Sequence, residues 1–295
     1  MRSFARRFFA SYFAIYLFPF PAGYLPHGEQ LDAAYQSLWN RSVAWLAQRL
    51  FHVTLTVFTN GSGDTTYNYF QLPLLVLFAL AVAGVWTLAA KGAPLSQRAE
   101  DAVRFYVRFG LGAALIGYGC AKFFAGQFPV PDAARLMQPI GTVSPMGLLW
   151  RFMGASKVYA GFGGVLEIGA GLLLFWRRTF LAGAISAAAV MLNVVMLNFS
   201  YDVPVKIYST HLFLMAVYLA AAGRRLFGGG FEGCGRDASR RPLGAGGHPQ
   251  QVHHRHWRGR LGAHAGDDPR RGQRADDGEE VRAGSAVCAA RLSRD

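Results

Sequence analysis

The stretch Asn193-Val-Val-Met-Leu-Asn-Phe-Ser-Tyr-Asp-Val-Pro-Val-Lys-Ile-Tyr-Ser-Thr-His211 joins two long apolar segments. Residues 180–199 lead into it, and residues 207–222 lead out after a turn at Pro204. Both flanks have the length and apolarity of membrane helices. Yet Asn193, Asn198, Asp202, Lys206 and His211 lie at or near the point where the two meet. Such groups are costly in a bilayer and are kept there only with a partner or a task.

The rest of the chain repeats the pattern. Of its 295 residues 52% are hydrophobic, 14% aromatic and only 16% charged, a balance more apolar than that of a soluble domain. Further apolar runs cover residues 8–25, 69–90, 105–124 and 158–176. At about 1.5 Å per residue, runs of this length cross a hydrocarbon core of about 30 Å. The expectation is an all-α polytopic membrane protein with six transmembrane helices. Arg2, Arg6 and Arg7 precede the first run, whose bulky aromatics and Phe18-Pro-Phe-Pro21 end do not fit a small-residue cleavage site. It reads as an uncleaved helix that its prolines bring to a stop.

Residues 29–58 have a different character. Leu31, Ala34, Tyr35, Leu38, Trp39, Trp45, Leu46 and Leu50 mark one apolar face at helical spacing, so an amphipathic helix at the interface or packed on the bundle is expected. Next comes Asn60-Gly-Ser-Gly-Asp-Thr-Thr-Tyr-Asn-Tyr69, which is turn chemistry, with Asp64 or Thr65 placed to cap the following helix. No Gly-Lys-Ser/Thr follows its glycines, so it is not a phosphate loop. Its polar groups, Asp64 and Tyr67 among them, also suit the wall of an outer-face pocket.

Within the spans, Gly110, Ala114, Gly117 and Ala121 form a stripe of small residues along which another helix can pack. Lys122, at the end of that span, has a stem long enough to snorkel to the interface. Residues 126–156 hold Pro129, Pro131, Pro139 and Pro145 and read as turns around a short surface helix at 146–153. Glu167 shares a face with Tyr159, Gly163 and Gly171 near the middle of its span. A carboxylate at that depth costs about 2.5–3.5 kcal/mol, so burial between helices beside a partner is expected.

Charge sets the orientation. The net charge is +13, of which residues 1–223 carry +8 and residues 224–295 carry +5. With six spans, the basic groups at 2–7, 91–104, 177–178 and 224–225 fall on one side. The positive-inside rule makes that side cytoplasmic, with both termini there and the protein in the inner membrane. The basic balance then belongs to cytoplasmic loops rather than to nucleic acid binding. Residues 61–68, Lys122, the proline-rich connection and residues 202–206 share the outer side. Lys122, Asn193, Asn198, Asp202, Lys206, His211, Asp64 and Tyr67 would thus form one outward polar cluster over Glu167.

Three regions follow: residues 1–100 with two spans and the amphipathic helix, residues 101–223 with four spans, and a low-complexity basic tail at 224–295. The tail lacks Ile, Lys, Met, Asn, Thr and Tyr. A basic disordered cytoplasmic segment and a shifted frame of GC-rich codons both produce such a residue set. Its His248, His253, His254, His256 and His264 have no evident scaffold for metal. Cys120, Cys234 and Cys288 form no C-x-x-C pair, and no metal site is expected.

Gly117-x-x-x-x-Lys122, then Gly163-Gly164-x-x-Glu167, then a two-helix unit resemble the DoxX-like family of bacterial four-helix membrane proteins. Ser144-Pro-Met-Gly-Leu-Leu-Trp-Arg-Phe-Met-Gly-Ala-Ser156, Asp202-Val-Pro-Val-Lys-Ile-Tyr-Ser-Thr-His211 and Gly61-Ser-Gly-Asp-Thr-Thr-Tyr-Asn-Tyr69 resemble a larger subgroup of that family. The resemblance implies a four-helix bundle over residues 101–223. The family takes its name from a quinone-linked sulfur oxidation system, and other members are linked to oxidative-stress complexes.

Three functions are expected to compete. The first is an accessory subunit of a membrane redox system that holds a quinone or docks a soluble oxidoreductase, with hydrogen-bond donors and a proton path supplied by the polar cluster. No haem, flavin or iron–sulfur signature accompanies it. The second is a proton-coupled small-molecule transporter, which a mid-membrane carboxylate also suits. The third is a scaffold whose asparagines and His211 serve only helix packing.

Overall fold

The computed structural model describes residues 2–55, 63–91, 93–124 and 126–239, with side chains as far as Gly223. Among the described residues it contains helices and no strands. The helices are α1 (Arg2–Leu17), α2 (Gly28–Phe51), α3 (Thr66–Ala89), α4 (Gln97–Phe123), α5 (Ala133–Met137), α6 (Pro145–Ala155), α7 (Lys157–Phe175), α8 (Phe180–Ser200) and α9 (Lys206–Ser239). The packed bundle belongs to the unit of residues 1–225. Residues 60–62 of the glycine loop and the tail beyond 239, with its histidines, lie outside the described residues.

Local chemistry sets the helix starts. Thr65 accepts from the Asn68 N–H, and the Asn68 side chain returns a bond to the Thr65 N–H, a reciprocal capping box for α3. Ser96, Ser144 and Ser156 cap α4, α6 and α7 in the same position, and Pro145 opens α6. Among the described residues, three helices are long and apolar enough to cross a membrane: α3, α7 and α8. At 24 residues α3 spans about 36 Å. Only a minority of each of these helices is buried, and Leu77, Val85, Leu88, Leu172, Leu192 and Met196 are exposed large apolar side chains on them. By contrast α1 has only 16 residues, and the first half of α4 carries Arg98, Glu100, Asp101, Arg104 and Arg108.

Polar ties at both ends fix the alternation of the helices. At one end Arg6 and Arg104 both pair with Glu100 (3.1 and 2.5 Å), and Arg7 donates to the Ala93 carbonyl. Arg108 reaches the last carbonyl of α7, that of Phe175. This end gathers the starts of α1 and α4 with the ends of α3 and α7. At the other end the Gly63 N–H, before α3, donates to the Pro204 carbonyl before α9 (2.9 Å). The core between them holds Phe13, Val107, Leu111, Leu115, Leu174, Met191, Leu212, Met215 and Leu219. A smaller cluster of Leu149, Met153, Ala160 and Val203 closes the second end.

Three sequence expectations change here. First, the small-residue stripe is not where α4 meets α7 most closely: its Gly110 packs instead against Leu17 of α1, where an added Cβ would lie 2.9 Å from the leucine side chain. A Cβ added to Gly117 meets nothing within 4 Å. The close approach of α4 to α7 runs instead through Gly112 and Gly119 against Gly164 and Gly171. A Cβ on Gly119 would lie 2.5 Å from the Gly164 carbonyl oxygen, and one on Gly164 2.7 Å from that of Gly119. Second, α2 has two apolar stripes. Trp39, Val43 and Ala47 are buried, while Leu31, Leu38 and Trp45, seven residues apart, face outward. Third, α9 continues past residue 222 to Ser239.

Candidate functional site

Glu167 projects from the middle of α7 and is 1% exposed. Its Oε1 accepts a hydrogen bond from the ammonium of Lys122, in the last turn of α4. Lys122 therefore does not snorkel outward; it turns inward to the carboxylate, because an unpaired buried charge costs more than the lost hydration of a pair. The glycine seam makes this reach possible. Gly119 and Gly164 sit three residues before Lys122 and Glu167, one turn away on the same faces. Side chains there would hold the two helices apart. The Lys122 ammonium also lies 5.8 Å from the centre of the Tyr118 ring, one turn back on α4.

This pair lines a cavity of about 810 Å³ whose walls come from α4, α6, α7, α8 and the turn at 203–205. Tyr118, Trp150, Asn193 and Asn198 are also on its wall. Most of the lining is apolar, with Phe128, Met146, Leu166 and Val194 among it. Asn193 is exposed to this space. Asn198 is buried and donates to the Ser209 hydroxyl (3.0 Å), which ties α8 to α9. The cavity is of ligand size, with polar groups set among mostly apolar walls.

The other predicted site residues lie elsewhere. Asp64 caps a helix, though not the one that follows it. Its two carboxylate oxygens accept from the N–H groups of Lys206 and Ile207 at the start of α9 (2.7 and 2.9 Å). Lys206 bonds exposed Asp202 at 2.6 Å and lies 3.9 Å from Asp64. The hydrogen bond that Lys206 donates to Asp202 raises the Lys206 pKa above the ordinary lysine value, so the ammonium stays charged. Tyr67 is buried, and its hydroxyl has no hydrogen-bond partner among the described residues.

His211 faces α1 rather than Glu167. Its Nδ1 lies 2.7 Å from the Ile207 carbonyl oxygen and its Nε2 2.6 Å from the Tyr12 hydroxyl. A carbonyl only accepts, so Nδ1 carries the proton and Nε2 accepts from Tyr12 in the neutral ring. Tyr16 stacks on the imidazole at 4.0 Å and 3°. Together with Tyr16, Tyr35, Asn68 and Gln71, His211 lines a separate space of about 200 Å³ under α2. The single outward cluster expected from the sequence is thus three groups: the Lys122–Glu167 cavity, the cap of α9, and the His211 stack.

Sequence reading missed Tyr12, Tyr16, Tyr118 and Trp150, and also buried Glu100 between two arginines. Tyr118 stands four residues before Lys122, a spacing that could have signalled a shared face. Tyr12 and Tyr16 repeat the same spacing but look like any aromatic core stripe. Among the described residues, no group of three or more His, Cys, Asp or Glu side chains could hold a metal ion.

The class these features define is an all-helical protein, with helices fit to cross a membrane and a buried lysine–glutamate pair in an apolar cavity. No family model and no solved structure matches the chain. It is similar to the uncharacterized protein YwoB of Bacillus subtilis (strain 168), with 32% identity over 144 residues, which is 48% of this chain and 90% of that protein. The chain belongs to the family of that Bacillus protein.

Proposed function

We propose that this is a DoxX-like inner-membrane protein that serves as an accessory subunit of a quinone-linked redox system. In this reading α1, the second half of α4 and the first part of α9 complete six spans, and the basic ends of the helices face the cytoplasm with both termini. The observation that carries the reading is the Lys122–Glu167 pair in its apolar cavity. A quinone ring and tail suit apolar walls such as those of Phe128 and Trp150, and Lys122 and Asn193 supply polar contacts for the headgroup. When bound, such a group would supply two-electron redox chemistry, and Glu167 would hold or pass a proton at its carboxylate. Electrons would come from a soluble oxidoreductase docked on the outer side.

The protein purified from its own membranes should release a quinone on solvent extraction, with less from Asn193→Leu and Glu167→Gln. Protein that carries lipid and no quinone sinks the reading. A proton-coupled transporter is the second reading, favoured by the buried ion pair on a membrane-length helix. Proton-driven solute uptake by proteoliposomes that hold no quinone would select it. A pure scaffold predicts neither result.

A further inference from the structure

A further space, of about 920 Å³, opens at the basic end of the bundle. Its walls come mainly from α1, α4 and α9, with Val76 of α3 and Leu95 from the turn before α4. Deeper along the helices the lining is mostly apolar, with Phe9, Phe13, Val76, Leu214 and Val217, and the Tyr12 hydroxyl there is committed to His211. Phe9, Leu214 and Val217 are exposed large apolar side chains, so the space reaches the surface of the bundle.

The mouth is polar and basic. Glu100 accepts from Arg6 through one carboxylate oxygen and from Arg104 through the other, and Arg104 also pairs with Asp101. The acid is therefore fully engaged, but Arg6 is not. Arg6 gives Glu100 one N–H, its side chain is 47% exposed, and the rest of its five-donor fork has no bond among the described residues. Glu100 thus holds Arg6 at the mouth and leaves most of its donors open. Positive charge is also in surplus at this end. Residues 3–7 and 91–104 carry Arg6, Arg7, Lys91, Arg98 and Arg104 against Glu100 and Asp101.

A guanidinium fork meets two phosphate oxygens at once. Apolar walls that lead away from it and reach the bundle surface suit a hydrocarbon chain, and basic pockets between membrane helices take phospholipid headgroups. We infer that this space binds an anionic phospholipid, its phosphate on Arg6 and one acyl chain against Phe9 and Val217. In the six-span reading above, this end of the bundle lies at headgroup depth. A free phosphate would leave the apolar walls bare. A zwitterionic lipid would bring a second cation beside Arg6.

The test uses the full chain, freed of lipid in detergent and titrated by native mass spectrometry. The probes are dioleoylphosphatidylglycerol and, separately, dioleoylphosphatidylcholine, which share their tails. The anionic lipid should bind about ten-fold tighter or more, the factor expected of one hydrogen bond to a charged group. Arg6→Gln should remove most of that preference. Ala221→Phe, at an exposed position on the apolar wall, changes no charge and should weaken the anionic lipid several-fold even where Arg6→Gln fails to fold. Equal binding of the two lipids overturns the inference, and so does a preference that both variants leave unchanged. Displacement of the lipid by glycerol 3-phosphate overturns it in favour of a free phosphate. None of these outcomes bears on the quinone reading, because the two cavities share no lining residue.

Discussion

Asp64, two residues before α3, holds the start of α9 by accepting from the N–H groups of Lys206 and Ile207, the first of them 142 positions further along the chain. Those two N–H groups lie in the first turn, where helical N–H groups have no carbonyl of their own helix to meet. The negative carboxylate also faces the positive end of the helix dipole. One side chain therefore fastens the first half of the protein to the last helix.

Asp64→Ala should lower stability by about 1–2 kcal/mol, the usual cost of a lost cap. Asp64→Asn keeps an acceptor oxygen and should recover much of it. Thermal unfolding in detergent checks both; an unchanged midpoint for Asp64→Ala would show that the bonds do not hold α9.

The buried ion pair predicts a larger effect. Lys122→Met leaves the Glu167 carboxylate alone inside the bundle, and breaking such a pair from one side costs about 3–5 kcal/mol. The double variant Lys122→Met/Glu167→Leu removes both charges and should be more stable than the single one. Chemical denaturation in micelles would reveal the order; a double variant worse than the single one contradicts it.

The two sets of glycines on α4 should respond differently. Gly119→Val drives a side chain into the Gly164 backbone and should cost about 1–3 kcal/mol or more by overpacking. Gly117→Ala meets open space and should be neutral or nearly so. Equal effects from the two substitutions, measured by thermal unfolding, would place the seam elsewhere.

Orientation can be read chemically. In a cysteine-free background, Met137→Cys, on exposed α5, should react with a membrane-impermeant maleimide from outside the cell. Pro94→Cys, exposed at the basic end, should react only after the membrane is opened. The reverse pattern inverts the topology.

His211→Phe tests whether the stack or the hydrogen bond matters more. The ring contact with Tyr16 survives, but the Tyr12 hydroxyl loses its acceptor, at a cost of about 1–3 kcal/mol. Tyr12→Phe in the same background should then restore most of the loss. If it does not, the imidazole has a role beyond satisfying Tyr12.

The sequence by itself determined the helical class, the positions of α2, α3, α7 and α8, and the isolation of Glu167 among apolar residues, while α4 begins at Gln97, eight residues before its apolar run. These follow from local quantities: apolar run length, caps such as Thr65 and Ser156, and breakers such as Pro204. It also determined that Glu167 needs a partner, because a charge at that depth is costly unless a neighbour compensates it. Only the tertiary structure decided which partner. Lys122 could snorkel outward or turn inward on the same helix, and the choice rests on how closely α7 approaches. That approach runs through Gly119 and Gly164, whereas the more regular stripe of Gly110, Ala114, Gly117 and Ala121 does not carry it. A helix offers several small-residue faces at once, and periodicity cannot say which one meets a neighbour. The same limit explains Asp64 and His211. Their partners lie 142 and 199 positions away along the chain, and no local spacing encodes a contact that exists only once the helices have packed.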